Sequence, residues 1–465
     1  MPISPDRPAR GQVAVPSPGR LAMLWLLVRF PRNPAAIYRE VLARYGDTVW
    51  LYDLRGDGWL FLARPVDVRR IHRTNNRNYG RGSLNESFAA FLGSGLLTSE
   101  HDTWARHRRL LAPAFRGQAV ARYIGAVRPH VHGLLDRWAQ RCGGKPFNIC
   151  PDLELFSYRA VAAAMFGLNS EGEAKMLGAL DRALEYASRE SFRLIGRPRW
   201  LGARAWRRFK RDLGILDSFV GPALAAVRAA TGSVDGADGT AGEDNLLGRM
   251  VADQQLSDAE IRDEVLTMLH AGQHTVASGL SFALFLIASD ERVQGELVEE
   301  LRPLNRPLPS FEELSELPKL DAVIEESLRL YPPAWGGVRE ALADDELGDL
   351  KIMAGTPIVF SQFATHRAPS LWEAADEFCP FRADRGGGQD DFRYFPFGGG
   401  PHLCIGKEIA LLEMKLVIAG VLARFRLTPA PGRRLRPQAM LDLIPRGGAY
   451  LALADRRGQP GRFES

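Results

Sequence analysis

The chain reads as mainly α-helical with a small β region, and three features predict it. Apolar residues recur at helical spacing from about Val120 to Ala230 with only short breaks. A capping box, Ser257-Asp258-Ala259-Glu260, opens a periodic run to about Asp290, a helix of roughly 50 Å at the helical rise. Strand patterns are few: Thr48–Leu51 and Gly58–Leu62 around a Gly56-Asp57-Gly58 turn, and a tail hairpin over Met440 to Tyr450 turning at Pro445–Gly448.

Composition narrows the function classes. The 465 residues show no repeat period, which sets solenoids and propellers aside. At about 150 residues per domain the length suggests three, but the motifs below come from distant segments and must meet at one site. We therefore expect a single domain over 34–455, with a flexible N-terminal segment 1–33 and a C-terminal tail 456–465. Apolar residues at 46% and charged residues at 25% exclude disorder as the main state. The net charge of +5 is spread along the chain with no reader motif, so no nucleic acid is expected as a partner. Cys142, Cys150, Cys379 and Cys404 form neither a CxxC pair nor a zinc spacing. The apolar run Leu21–Val28 is cut by Arg29 and falls well short of the about 20 residues that span a bilayer. No transmembrane segment and a cytoplasmic location are expected; surface contact of Leu21–Val28 with a membrane stays open.

In chain order, Pro34 to Tyr45 reads as a helix, and Tyr79–Ser99 as a mobile apolar loop carrying Phe88, Phe91 and Leu92. Trp104 and Arg108 stand four apart, so an indole N–H and a guanidinium share one helical face, as they would on an amphipathic surface helix too. Ile195 to Gly202 interrupts the helical pattern beside a basic stretch, and Thr231–Asn245 reads as a surface linker. Within the long central run Met268, Ala271, Gly272, Thr275 and Gly279 form a stripe of mostly small residues that lets a flat group approach. The Thr275 hydroxyl can bond the Ala271 carbonyl or a ligand. His270 and His274 have metal-pair spacing, but no third ligand accompanies them. Pro318–Leu330 is a helix bearing Glu326 and Arg329, ordinarily a surface ion pair, and Tyr331-Pro332-Pro333 stops it.

The most informative stretch is Phe397-Gly398-Gly399-Gly400-Pro401-His402-Leu403-Cys404-Ile405-Gly406. A lone cysteine in a glycine-rich loop precedes a helical run, Ile405–Arg424, whose positive dipole end favours an anion at the sulfur. Gly398, Gly399 and Gly400 can take positive φ and aim N–H donors, while Gly406 lacks a Cβ where backbone would lie near a flat cofactor. By itself the loop fits either a metal-bound thiolate or a turn with a buried structural cysteine.

In their order Phe397, Gly400, Cys404 and Gly406 resemble the cysteine-loop signature of the cytochrome P450 family, and its companions follow along nearly the whole chain. The resemblance implies a cytochrome P450 fold with a long central helix over the haem. It implies b-type haem (heme b) bound through Cys404, with Phe397 shielding the sulfur and Gly406 beside the ring. Trp104, Arg108, Arg339 and His402 match its propionate donors. Glu326, Arg329 and Arg382, the last in Phe378-Cys379-Pro380-Phe381-Arg382, match a structural Glu–Arg–Arg network. The family's helix signature, Ala/Gly-Gly-x-Asp/Glu-Thr, here reads Ala271-Gly272-Gln273-His274-Thr275, with His274 in place of the acid that serves proton delivery. Phe88, Phe91, Met268 and Met440 fall where the family contacts substrate.

The implied reaction is monooxygenation: one oxygen atom from O2 enters a hydrophobic small molecule of fatty-acid, terpene or similar type. Electrons would come from a separate ferredoxin and ferredoxin reductase, with Arg106, Arg109 and Lys407 as attractors of an acidic partner. A peroxide-driven hydroxylase is the near alternative because of His274. A hydroperoxide-rearranging member is disfavoured by Thr275 and the intact loop, and a haem-based sensor by the lack of an output domain.

Overall fold

The computed structural model describes residues 15–53, 56–82, 85–168, 172–191, 199–232, 245–304, 306, 308–384 and 391–456. The helices are α1 (Arg20–Arg29), α2 (Pro34–Tyr45), α3 (Pro65–Arg69), α4 (Asn85–Leu92), α5 (His101–Leu111), α6 (Gln118–Ala139), α7 (Cys150–Phe166), α8 (Glu173–Ser191), α9 (Arg199–Gly232), α10 (Leu246–Asp253), α11 (Asp258–Ser289), α12 (Glu291–Leu301), α13 (Pro318–Leu330), α14 (Gln362–Thr365) and α15 (Lys407–Arg424). The strands are β1 (Thr48–Tyr52), β2 (Gly58–Leu62), β3 (Tyr79–Gly80), β4 (Phe147–Asn148), β5 (Gly337–Ala341), β6 (Asp345–Leu347), β7 (Leu350–Ile352), β8 (Pro357–Phe360), β9 (Phe425–Pro429), β10 (Pro437–Ala439), β11 (Leu443–Pro445) and β12 (Tyr450–Asp455).

Helix α11 organises the rest. Its capping box forms as expected: the Ser257 side chain accepts from the Glu260 N–H, and the Glu260 carboxylate accepts from the Ser257 N–H at 2.8 Å. The helix is apolar on most of its circumference, so it must be covered on all sides. It is long and apolar enough to cross a membrane by composition alone, yet it is the buried centre of the main helical core. Helices α7, α9, α13 and α15 pack around it. A second core forms where α1 and α2 close over the five-stranded sheet, whose order is β1-β2-β8-β5-β3 with β2 and β8 parallel.

Three expectations need correction. The N-terminal segment is not flexible up to residue 33: α1 buries Met23, Leu26 and Leu27 in the second core, while Leu21, Leu24, Trp25 and Val28 face solvent. Residues 1–14 and 457–465 lie outside the described ones. Nor is Tyr79–Ser99 a loop throughout. Phe88, Phe91 and Leu92 are spaced to share one side of a helix, and α4 forms because Phe91 and Leu92, both fully buried, each gain roughly 1.5–3 kcal/mol by leaving water. The tail hairpin pairs β10 with β11 and turns at Met440–Asp442 instead of Pro445–Gly448. Pro445 ends that pairing, and Gly447 and Gly448, both at positive φ, redirect the chain into β12 between β4 and β9. Half of the Ile195–Gly202 break, residues 195–198, lies outside the described residues while 199–202 already belong to α9, and most of the Thr231–Asn245 linker lies outside them too.

The interior holds a carboxyl, Glu413, that costs stability near neutral pH. Glu413 on α15 is 1% exposed and accepts from the Tyr123 hydroxyl at 2.9 Å, and burial pushes its pKa up to about 8. Below about pH 4.5 folded and unfolded chains both carry the proton; as pH rises towards 8 only the unfolded chain loses it, so the folded state is progressively disfavoured. Glu413→Gln keeps an acceptor for Tyr123 and removes this titration. The variant should match the parent in urea midpoint at pH 4.5 and exceed it increasingly up to pH 8; a constant difference across that range would refute the assignment.

Candidate active site

The cysteine loop is anchored from below by a buried charge network. Glu326, 5% exposed on α13, accepts from Arg329 at 2.7 and 2.9 Å, from Arg382 Nη2 at 2.8 Å and from the Cys379 N–H at 2.9 Å. Arg329, 1% exposed, also donates to the carbonyls of His366, Ala375 and Glu377. The His366 ring in turn accepts the Phe395 N–H at 2.9 Å, two residues before Phe397. One carboxylate thus fixes the 366–382 segment and, through His366, the entry to the loop.

Within the loop the Cys404 N–H donates to the Phe397 carbonyl at 3.0 Å, and the Gly398 N–H to Phe395 at 2.9 Å. Gly398 and Gly400 have the expected positive φ, but Gly399, at φ −168°, is extended. A Cβ on Gly400 would lie 1.8 Å from the His72 carbonyl, so glycine is required there by space as well as conformation. Phe397 is half-buried with the Lys407 ammonium 6.0 Å above its ring, and Gly406 has no neighbour closer than Phe115 at 4.0 Å. Cys404 keeps solvent-accessible surface. Burial pushes its thiol up, while the Gly406 N–H and the charges of Arg108 and Lys407 pull it back down.

Beside the loop is a cluster of cations. Trp104 and Arg108 lie on α5, and the indole ring lies 4.1 Å from that of His402. Arg339 on β5 is pushed down to about 10 by burial, donating to the Val338 carbonyl at 2.9 Å. Arg81 is pushed down to about 9 by burial and by Arg339. Burial, with Arg81, Arg339 and Arg108, pushes His402 down to about 3, and its Nδ1 has no partner. Among the described residues Glu100 is the carboxylate that reaches Arg81 and Arg339. Three guanidiniums, an orphaned imidazole nitrogen and an indole around one acid form a donor set suited to the two carboxylates of haem. The residues present fit that group.

On α11 the Thr275 hydroxyl donates to the Ala271 carbonyl at 2.6 Å, as its spacing predicts. The small-residue stripe, however, divides. A Cβ on Gly272 would lie 2.4 Å from Val161 on α7, and one on Gly279 would lie 3.3 Å from Met414 on α15. Adjacent helical positions differ by about 100° in direction, so Gly272 serves the α7–α11 contact instead of the groove at Ala271 and Thr275. Met268 is buried, and Phe91 stands edge-on to His270 at 6.2 Å. Phe88 is half-buried on the same helix. Met440 occupies the hairpin turn, its carbonyl accepting from the Trp335 indole at 2.9 Å. Arg106 is not a free surface charge: it pairs with Glu260 and donates to the Gln255 carbonyl at 2.5 Å. Arg109 remains exposed. Sequence reasoning missed Arg81 and His72, which no local pattern marks, because they join the site through long-range packing.

Comparisons with known proteins agree with this geometry. A family model described as Cytochrome P450 matches residues 15–449. Cyclooctat-9-en-7-ol 5-monooxygenase of Streptomyces melanosporofaciens is 29% identical over 460 residues, covering 93% of this chain and 95% of the relative. Pentalenene oxygenase of Streptomyces avermitilis is 28% identical over 442 residues, 92% of this chain and 94% of the relative. The human ultra-long-chain fatty acid omega-hydroxylase is 29% identical over 385 residues, 78% and 72% of the two chains.

Truncating one member of the anchoring network strands the others. Arg329→Ala should lower unfolding stability by about 3–5 kcal/mol and lower haem content with it, as read by urea denaturation and pyridine haemochrome assay. Full stability and normal haem content would show that the network does not hold the loop.

Proposed function

We infer, from a chain that belongs to the cytochrome P450 family, that Cys404 is the thiolate ligand of its haem and that α11 manages the protons of its reaction. The protein is a haem-thiolate monooxygenase acting on a hydrophobic substrate. Bound haem supplies the activation of dioxygen, its thiolate donating electron density that favours O–O cleavage. The observation that supports the ligand assignment is the loop itself: its entry is held through His366 by the Glu326 network, and Cys404 is acted on by Arg108 of the cation cluster suited to two propionates. Arg81, Arg108, Arg339, His402 and Trp104 orient the haem through those carboxylates. Phe397 shields the sulfur.

On the opposite side Thr275 donates its proton to the Ala271 carbonyl, which leaves its oxygen lone pairs free to accept another. His274 takes the part of the usual acid. Imidazole titrates near neutral pH and can hold a proton next to Thr275. Because His274 is surrounded by acids that favour its charged form, the O2-driven reaction is preferred here over a peroxide-driven one. The relatives named for cyclooctat-9-en-7-ol and pentalenene point to a terpene-type substrate, and Phe88, Phe91, Met268 and Met440 are the residues assigned to touch it. A ferredoxin with its reductase supplies two electrons in the cytoplasm, docking near Arg109 and Lys407.

The test is a carbon monoxide difference spectrum of the dithionite-reduced protein beside that of Cys404→Ala. The parent should show the Soret band of thiolate-bound haem and the variant should lose it; a band unchanged by the substitution would remove Cys404 from the iron. Sesquiterpene and diterpene hydrocarbons should then shift the spin state of the parent more than nucleosides or sugars do.

A further inference from the structure

His274 draws together ionisable groups from three elements outside α11. Its Nε2 lies 3.2 Å from Asp181 Oδ1 on α8, the His274 side chain 13% exposed and the Asp181 side chain 49%. The pair therefore joins an interior nitrogen to a solvent-washed carboxylate. The contact is an ion-pair approach at hydrogen-bond distance, and it favours the charged imidazole. Glu154 on α7 acts on the same imidazole, as does Asp442 in the β10–β11 turn. Asp442 is buried with Oδ2 unpartnered. Its turn is pinned to α11 because Ser278, one helical turn beyond His274, donates to the Leu443 carbonyl. One turn before His274 is His270, ring centroids 5.7 Å apart, kept neutral by burial and by the charge of His274.

Three acids and one neutral imidazole thus face His274. Burial alone would strip its proton; Asp181, Asp442 and Glu154 outweigh that and raise its proton affinity. A cation sheltered among acids, one residue before Thr275 in the chain and touching a half-exposed carboxylate, is a proton store with a route to water.

We propose that Asp181 is the positioning residue of this store: it holds His274 charged and passes solvent protons to it. Each cycle one proton leaves His274 Nε2 towards Thr275, and the lone pair this frees on Nε2 takes one proton from bulk water through the Asp181 carboxylate. His274 ends in its starting charge state, and no electron moves. The inference rests on the reading of His274 as the proton donor, and its tests separate the two.

Two readouts decide it. The reduced, carbon monoxide-bound holoprotein is diamagnetic, so histidine-selective 15N labelling reports each imidazole, with His274→Gln identifying the resonance. The parent should titrate above the ordinary imidazole range, Asp181→Asn should bind that proton several-fold more weakly, and Asp181→Glu should restore it. The second readout is the share of consumed reductant released as hydrogen peroxide, measured with a surrogate ferredoxin system and farnesene as the bound probe. That share should rise several-fold in Asp181→Asn and in His274→Gln, and stay at the parent level in Asp181→Glu. If His274→Gln raises peroxide release but Asp181→Asn changes neither readout, Asp181 has no role and His274 keeps its own. If His274→Gln leaves the share unchanged, the donor reading fails and the Asp181 inference falls with it.

Discussion

The buried Glu326 carboxylate is the constraint on which the site depends. A carboxylate 5% exposed is tolerable only if its lone pairs are filled, and here two arginines and a backbone N–H fill them. The partners come from far apart in sequence: Arg329 is a helical turn away, Arg382 lies beyond α14, and Arg329 spends its remaining donors on carbonyls of the intervening segment. Folding of that segment is therefore coupled to satisfaction of one charge. Because His366 is held by its own carbonyl and receives the Phe395 N–H through its ring, the cysteine loop inherits its position from Glu326. The chemistry of the sulfur is prepared more than 70 residues earlier in the chain.

The cation cluster beside the loop works against the stability of the chain alone. Arg81 and Arg339, both half-buried, lie near one another, each depressed by lost solvation, and His402 is held neutral among them. Such concentrated like charge is unfavourable until an anion shares it. Haem brings two carboxylates, so part of its binding free energy is relief of this repulsion, and the folded state is stabilised by what it binds. The same logic holds at Cys404, whose burial favours the thiol while Gly406, Arg108 and Lys407 favour the thiolate. A metal bound at Cys404 would settle that balance in favour of the thiolate. The preformed site is thus electrostatically tense, and at Gly400 it is sterically closed as well.

Much of this was legible in the sequence, for a physical reason. The capping box, the Thr275–Ala271 bond and the Glu326–Arg329 pair are contacts within one helical turn, so spacing alone dictates them. Cys404, Trp104, Arg108, Arg339 and Arg382 are candidates from sequence because their flanking residues form recognisable patterns. What failed needed distance. Whether Phe88, Phe91 and Leu92 lie in a loop or a helix is decided by α8 and α11, which receive them. Gly272 was assigned to the groove because helical spacing fixes direction only relative to the helix, and Val161 on α7 sets which direction is crowded. Arg81, His72, Asp181 and Asp442 have no local signature at all, since each acquires its partner only when separate elements pack.

The exchange of acid for His274 makes sense only in that packed context. A carboxylic acid in an apolar helix stores a proton in its neutral form and becomes charged on giving it up; an imidazole does the reverse, storing it as a cation. The surroundings must therefore be inverted. An acid would call for neutral or basic neighbours, whereas the imidazolium needs anionic ones, and Glu154, Asp181 and Asp442 are anionic neighbours drawn from three different elements. Burial of His274 and Asp442 gives their attraction weight, whereas the half-exposed Asp181 acts through its 3.2 Å approach. Asp442 pays part of this cost itself, its pKa pushed up to about 6 by burial and drawn back by His274. One replaced residue in a helix signature is thereby matched by compensating charges spread over nearly 300 residues of chain.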